Sequence, residues 1–296
     1  MKRKILISAF LGLAGFITTQ GQNVNIPDAN FKSYLIGNSA INTNGDNQIS
    51  VAEAQAYTGT INCNNRNISD LTGIEAFVNI THLDCAKNQL SSLNVSNNTA
   101  LEQLHCAENQ LSSLDISNNT ALKVLHCYNQ LISSLDLSNN TALINLWCYY
   151  NELSSLDLSN NTALTQLWCW NNQLSSLDLS NNTALTNLRC NNNQLSSLNV
   201  SNNTALTYLS FHTNQLSSLD VSNNTALTFL HCFNNQLTSL NVSNNTALEQ
   251  FRCENNQLTS LNLKNGNNTN LIFLDLTNNP NLRCIQVDNV AYSNTN

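Results

Sequence analysis

The sequence predicts a solenoid, a chain wound into stacked coils of equal size with a parallel β-sheet along one side. Three observations predict it. A 21-residue unit, clearest as LEQLHCAENQLSSLDISNNTA from Leu101 to Ala121, begins again at Leu122, Leu143, Leu164, Leu185, Leu206, Leu227 and Leu248, and one copy precedes it from Ile80. Within the unit, apolar residues recur at positions 1, 4, 6, 11, 14 and 16. Positions 3 to 7 alternate, which is the two-residue period of a strand. A fixed period of this length marks a repeat architecture, because one coil buries its apolar side only when a neighbour stacks on it.

The strand comes first in each coil. Leu at position 4 and Cys at position 6 point inward, and positions 3, 5 and 7 point outward. Stacked strands pair at about 4.8 Å. The following stretch, LSSLDLSNNTA, packs Leu at positions 11 and 14 and Leu, Val or Ile at 16. So short a coil has no room for a full helix, and turns or short strands are expected on this side. No glycine occurs between Gly73 and Gly266, so Asn is expected to take the tight-turn conformations. Asn recurs at position 9, for example Asn88, Asn109, Asn151 and Asn172. Its amide is suited to bonding the turn backbone of its own and the next coil. Gln130 fills this slot in the unit from Leu122, where a local distortion is expected.

Nine of the ten cysteines fill position 6, and Phe211 fills it once. Side chains in register on parallel strands lie about 4.8 Å apart and point the same way, whereas a disulfide wants Cβ atoms about 3.8 Å apart. The cysteines are therefore expected to be reduced core thiols. The Asn-Asn-Thr triplets match a glycosylation sequon, but they recur because the turn recurs.

Residues 1–21 have the character of a secretory signal, with Lys2, Arg3 and Lys4 before an apolar run over 5–17. Later stretches are too polar to span a bilayer. Residues 22–57 are expected to form a helical N-terminal cap, with Pro27 and Asp28 at a helix start and Phe31 and Leu35 one turn apart. Within it, loop 42–53 (NTNGDNQISVAE) resembles a 12-residue EF-hand calcium loop. Asn42, Asn44, Asp46, Ser50 and Glu53 offer side-chain oxygens, and Gln48 offers its carbonyl. Asn42 stands where Asp is usual, and Asn47 replaces the sharp-turn glycine. Two carboxylates imply weak calcium affinity, and no other cofactor is expected; the competing reading is a purely structural cap. Residues 58–270 hold the repeats, and 271–296 the last repeat and a C-terminal cap around Pro280.

Charged residues make up 10% of the chain, with a net charge of −7. An acidic, Asn- and Ser-rich surface lacks the basic stripe that nucleic acid requires. Function is expected where the copies differ while the scaffold stays fixed. Position 5 runs Asp84, His105, His126, Trp147, Trp168, Arg189, Ser210, His231, Arg252, Asp275, and position 7 includes Tyr128, Tyr149, Trp170, His212, Phe233 and Glu254. All three Trp and all five His lie on this face. Tyr128, Trp147, Tyr149, Tyr150, Trp168 and Trp170 are the expected centre of a solvent-facing binding surface. His105, His126, His212, His231 and Phe233 are expected around it, with affinity changing between about pH 5 and 7. Ser210, His231 and Asp275 are too widely spaced for a triad. Asp84, His105 and His126 offer only three ligands for a catalytic metal.

The unit resembles the leucine-rich repeat, LxxLxLxxNxL, with Cys in the sixth slot. Residues 58–79 and the helical cap resemble the secreted internalin-like proteins of bacteria. The resemblance implies a leucine-rich repeat solenoid with a curved parallel sheet and an EF-hand-like cap. It implies a secreted or cell-surface, non-enzymatic module for protein recognition or adhesion, expected to be a monomer. A glycan ligand stacked on the aromatic face is the alternative, and a secreted enzyme is disfavoured.

Overall fold

Each coil opens with a three-residue strand, and the strands stack in parallel. The computed structural model describes residues 21–290, so the signal-peptide reading lies outside the described residues apart from Gly21. One eleven-stranded sheet runs β1 (Thr60–Asn62), β2 (His82–Asp84), β3 (Gln103–His105), β4 (Val124–His126), β5 (Asn145–Trp147), β6 (Gln166–Trp168), β7 (Asn187–Arg189), β8 (Tyr208–Ser210) and β9 (Phe229–His231). It ends with β11 (Gln250–Arg252) and β13 (Phe273–Asp275). The register follows the repeat: Leu146 pairs with Leu167 and Trp147 with Trp168. Backbone bonds continue past the strand ends, as from Cys148 N to Trp168 O at 2.9 Å and from Tyr150 N to Trp170 O at 3.1 Å.

The opposite side is mostly turns. Its last three coils add a small sheet of β10 (Ser239–Asn241), β12 (Ser260–Asn262) and β14 (Cys284–Gln286). Between the two sides, the Leu residues of positions 1, 4 and 11 and the position-6 cysteines form one continuous buried core. Burying each Leu contributes about 1.5–3 kcal/mol, so the repeated slots dominate the stability of the stack.

Two amide ladders fasten coil to coil. Asn172, at position 9, donates to Cys148 O and Cys169 O at 3.0 Å each and accepts from Leu153 N at 3.0 Å. The coil it ties is the preceding one and not the next one expected, because the backbone groups within reach of the amide, Cys148 O and Leu153 N, lie one coil back. Gln130 keeps the ladder with its longer side chain, donating to Cys106 O and accepting from Leu111 N. The expected distortion is absent. Ile132 drops into the buried position-11 slot and Leu131 takes the exposed slot used elsewhere by Gln, so the extra apolar residue costs exposure instead of geometry. A second ladder, not expected from the sequence, uses the second Asn of the Asn-Asn-Thr triplet. Asn182 is buried and donates to Leu158 O and Asn161 O. The first Asn of the triplet stays exposed and donates to the preceding turn, as Asn181 does to Ser159 O.

The tight turn falls at position 8, where φ is about 51–56° in every regular coil. Asn129, Asn171, Asn192, Asn234 and Asn255 occupy it as expected, but so do Lys87, Glu108, Tyr150 and Thr213. A side chain other than Asn or Gly is strained there.

At the N-terminal end, α1 (Ala29–Ile36) and α2 (Val51–Ala56) cover the first coil with Phe31 and Leu35 fully buried. Gly73, with φ 105°, lets this cap approach closely, since a Cβ there would stand 2.8 Å from Asn25 O. At the other end, Ile272, Phe273, Leu274, Ile285 and Val290 are exposed. Among the described residues, no further coil covers those slots.

All nine position-6 cysteines are buried and free, and Cys284 is free and exposed. Burial pushes the Cys127 and Cys190 thiols up to about 12. A thiol reagent is expected to label Cys284 in the folded protein and all ten cysteines after unfolding without reductant. Mass spectrometry showing several disulfides would contradict this arrangement.

Candidate ligand-binding face

The outward side chains of positions 5 and 7 form two rows across the sheet, fixed by the inward Leu and Cys on either side of them. In the position-5 row, His105 stacks on His126 at 4.3 Å between ring centres, His126 on Trp147 at 3.9 Å, and Trp147 on Trp168 at 4.1 Å. The planes of the last pair differ by 2°. The row continues through the Arg189 guanidinium, whose Cζ lies 4.4 Å from the Trp168 ring centre. In the position-7 row, Tyr128 stacks on Tyr149 at 4.3 Å and Tyr149 on Trp170 at 4.5 Å. Tyr150 meets Trp170 edge-on at 4.6 Å. Parallel in-register strands produce this directly, since identical slots one coil apart hold rings at about van der Waals spacing.

The structure therefore brings the six predicted central residues together with His105 and His126. It places His212, His231 and Phe233 in a second patch towards the C-terminal end. There His212 stacks on Phe233 at 4.0 Å, and Arg252 lies over Phe233 at 4.3 Å. Arg189, also 4.5 Å from the Tyr208 ring centre, joins the two patches. Neither Arg189 nor Tyr208 was among the expected site residues. The usable signal was a cation 21 residues from an aromatic in the same row.

The face differs from the expectation in its exposure. Tyr150, 49% exposed, is the one member of the predicted centre that stands open; the other rings are half-buried against one another and present mainly their edges. Burial also alters the histidines. It lowers His105 and His231 and, helped by neighbouring positive groups, brings His126 and His212 down to about 4. They are neutral at pH 7, and His126 and His212 charge near pH 4, below the window expected from an ordinary histidine. A folded-state value below the ordinary 6.5 means stability is full above that pH and is lost as pH falls towards 4.

Asp84 accepts from Asn64 and from its own turn, and His105 is stacked. Among the described residues, no three His, Cys, Asp or Glu side chains converge as a metal site would require.

The cap loop is closed by Glu53. Its Oε1 accepts from Thr43 N (2.9 Å), Thr43 Oγ1 (3.1 Å) and Asn44 N (3.2 Å), and its Oε2 from Ser50 N and Oγ (2.9 Å each). Ser50 caps α2 in return, completing a capping box. Asn44 and Asp46 bond each other, the Gln48 N–H donates to Asp46, and the Gln48 side chain accepts from Lys32. Asn42 donates to Ile36 O and Asp46 O, while its buried Oδ1 accepts no hydrogen bond. As a calcium site, the loop thus offers the free oxygen of Asn42, but both Glu53 oxygens are already engaged.

The parallel short-strand coils, the Asn ladder and the variable outward rows define a leucine-rich repeat solenoid. A family model described as the leucine-rich repeat domain of the endo-β-N-acetylglucosaminidase EndoS matches residues 39–161. Internalin J of Listeria monocytogenes is 36% identical over 81 residues, 27% of this chain and 8% of that protein. The solved functional domain of InlJ from the same organism, described as including a cysteine ladder, is 32% identical with a TM-score of 0.69, over 90% of this chain and 61% of that one. The internalin InlF shares the fold at 21% identity and a TM-score of 0.56, over 91% and 98% of the two chains. The chain thus spans less than two thirds of its internalin J relatives. It is a leucine-rich repeat solenoid built on a cysteine-containing repeat, similar to internalin J.

Burial pushes the Glu53 carboxyl up, but the hydrogen bonds from Ser50, Asn44 and Thr43 outweigh it and bring it down to about 2. Its contribution is therefore present above pH 4.5 and lost as pH falls towards 2. Glu53→Ala is expected to destabilise the cap by about 1–2 kcal/mol at pH 7, with the gap to the unaltered protein narrowing at pH 2.5. Thermal melts check this, and an equal gap at both pH values would contradict it.

Proposed function

We propose that the chain is a secreted or surface-held, non-enzymatic recognition module that acts as a monomer and takes a protein partner on the sheet face. The observation that carries this reading is where the coils differ. Core, thiol and amide slots repeat almost unchanged, while the outward rows concentrate every Trp and His of the chain. Tyr150 adds to it. Most neighbouring coils use Asn in this strained turn position, yet here the most open aromatic of the patch occupies it. A local cost of about 1 kcal/mol is retained where it places a ring at the surface. A glycan would stack on open ring faces, and here the faces are turned towards one another. Ring edges and polar tips suit a protein surface better. The signal-like start of the sequence supports secretion.

A weak calcium site in loop 42–53 is a second proposal, favoured by the free Asn42 Oδ1. A cation would take Glu53 from its five donors, so the binding would be weak. The cap melts repeated in millimolar calcium and in chelator test it; identical melting temperatures reject it.

The main reading is tested by an array of extracellular proteins and purified glycans, followed by variants against any protein bound. Trp168→Ala removes contacts to Trp147 and Arg189 and is expected to cost about 1 kcal/mol of stability while leaving the protein folded. It is expected to weaken the partner by about 2 kcal/mol. Tyr150→Asn is expected to weaken the partner while raising stability by about 1 kcal/mol, a combination a packing residue would not give. Unchanged affinity in both variants places the ligand elsewhere.

A further inference from the structure

Arg189 is set apart from the other cations of the face. The three ion pairs among the described residues are Lys87–Glu108, Lys123–Glu102 and Arg252–Glu254. Arg189 has no carboxylate within ion-pair distance and no hydrogen-bond acceptor among those residues, and its Nε is buried without a partner. It is held in place instead by rings. Trp168 lies on one side, in the preceding coil, and Tyr208 on the other, in the following coil. The Trp168 indole is itself fixed by a bond from Nε1 to Asn187 Oδ1 at 3.1 Å. A guanidinium flanked by two ring faces is left open along its N–H edge.

The next slot in the row holds a small side chain that the Tyr208 ring covers. Ser210 pairs with Arg189 across the strands and is buried, its hydroxyl donating to Asn191 Oδ1 at 3.4 Å. Beyond it stands His231, whose Nε2 is also buried and unpartnered. The Tyr208 ring lies over the Ser210 slot, 4.5 Å from the Arg189 Cζ and 5.9 Å from the His231 ring centre, so it separates the two side chains and leaves the guanidinium to act by itself.

Resting on the protein-recognition reading above, we propose that Arg189, held between the Trp168 and Tyr208 rings, is the anion-recognition point of the face and takes an Asp or Glu carboxylate of the partner. The fork of a guanidinium matches a carboxylate with two parallel N–H bonds, which a Lys ammonium does not reproduce. Ring stacking fixes the fork beforehand, so little side-chain freedom is lost on binding. The flanking rings keep water off both faces of the guanidinium, which strengthens the contact.

The test is a titration read by tryptophan fluorescence, because Trp168 touches Arg189 directly. Tetra-aspartate is the probe, with tetra-lysine and inorganic sulfate as comparisons, on the full chain. Saturable binding of tetra-aspartate alone is expected, about tenfold weaker or worse in Arg189→Gln. Arg189→Lys keeps a positive charge and is expected to recover only part of the loss, so the comparison survives if the glutamine variant folds poorly. Equal binding by all three proteins overturns the assignment, as does sulfate binding more tightly than the peptide, which would point to a sulfated ligand. A chain that binds its array partner through Trp168 yet ignores tetra-aspartate overturns this inference and leaves the face reading standing. Failure of the face reading shows separately, as partner affinity indifferent to Trp168→Ala and Tyr150→Asn.

Discussion

The structure depends on one recurring interaction, the side-chain amide that closes each turn onto the coil before it. A coil of 21 residues has many backbone groups that neither the short strand nor a helix can satisfy. Leaving any of them buried and unpaired would cost about 1–3 kcal/mol. Asn172 satisfies three at once: Cys148 O, Cys169 O and Leu153 N. Its counterparts repeat this in coil after coil, and on the far side the buried Asn182 row satisfies two carbonyls per coil, here Leu158 O and Asn161 O, while its own Oδ1 is left unpaired. These ladders lock the coil length and keep adjacent strands in register. The small Cys thiol at position 6 fits the same logic, filling core volume without asking for a partner.

Register has a direct consequence for the surface. Once strands are stacked in phase, outward side chains from equivalent slots fall face to face. Rings placed at successive position-5 slots then stack as His126, Trp147 and Trp168 do. The same geometry that makes the scaffold monotonous makes the variable rows into preformed, mutually supported stacks. It also explains why these aromatic residues are half-buried and their histidines neutral. Each ring shields its neighbour, so the surface presents edges, hydroxyls and the Arg189 fork, and not open faces.

Much of this was legible in the sequence because the solenoid has few independent variables. The period placed Leu83, Leu104 and Leu125 in the core, put the cysteines in one buried row, and gave Asn88 and Asn109 their role. Three things were not legible. The Asn-Asn-Thr triplet looks like a turn, and composition does not say that its second amide is buried while the first is exposed. The left-handed conformation at position 8 was masked because Lys87, Glu108, Tyr150 and Thr213 accept it under constraint from the turn. Ring stacking depends on side-chain rotamers, which a row of letters does not display, so the patch looked more open than it is. At Gln130 the opposite occurred: one methylene of reach absorbed a substitution that appeared disruptive.

The most direct test of the account is amide hydrogen exchange at the position-11 N–H groups that donate to the ladder, those of Leu153, Leu174, Leu195 and Leu216. They sit in turns, where exchange is ordinarily fast. If the Asn amides hold the stack in register, these protons exchange as slowly as the strand-linked N–H groups of Cys148, Cys169 and Cys190, and Asn172→Ala releases Leu153 first. Exchange at the rate of exposed turn amides in the unaltered protein would contradict the account, because the face would then rest on the core alone.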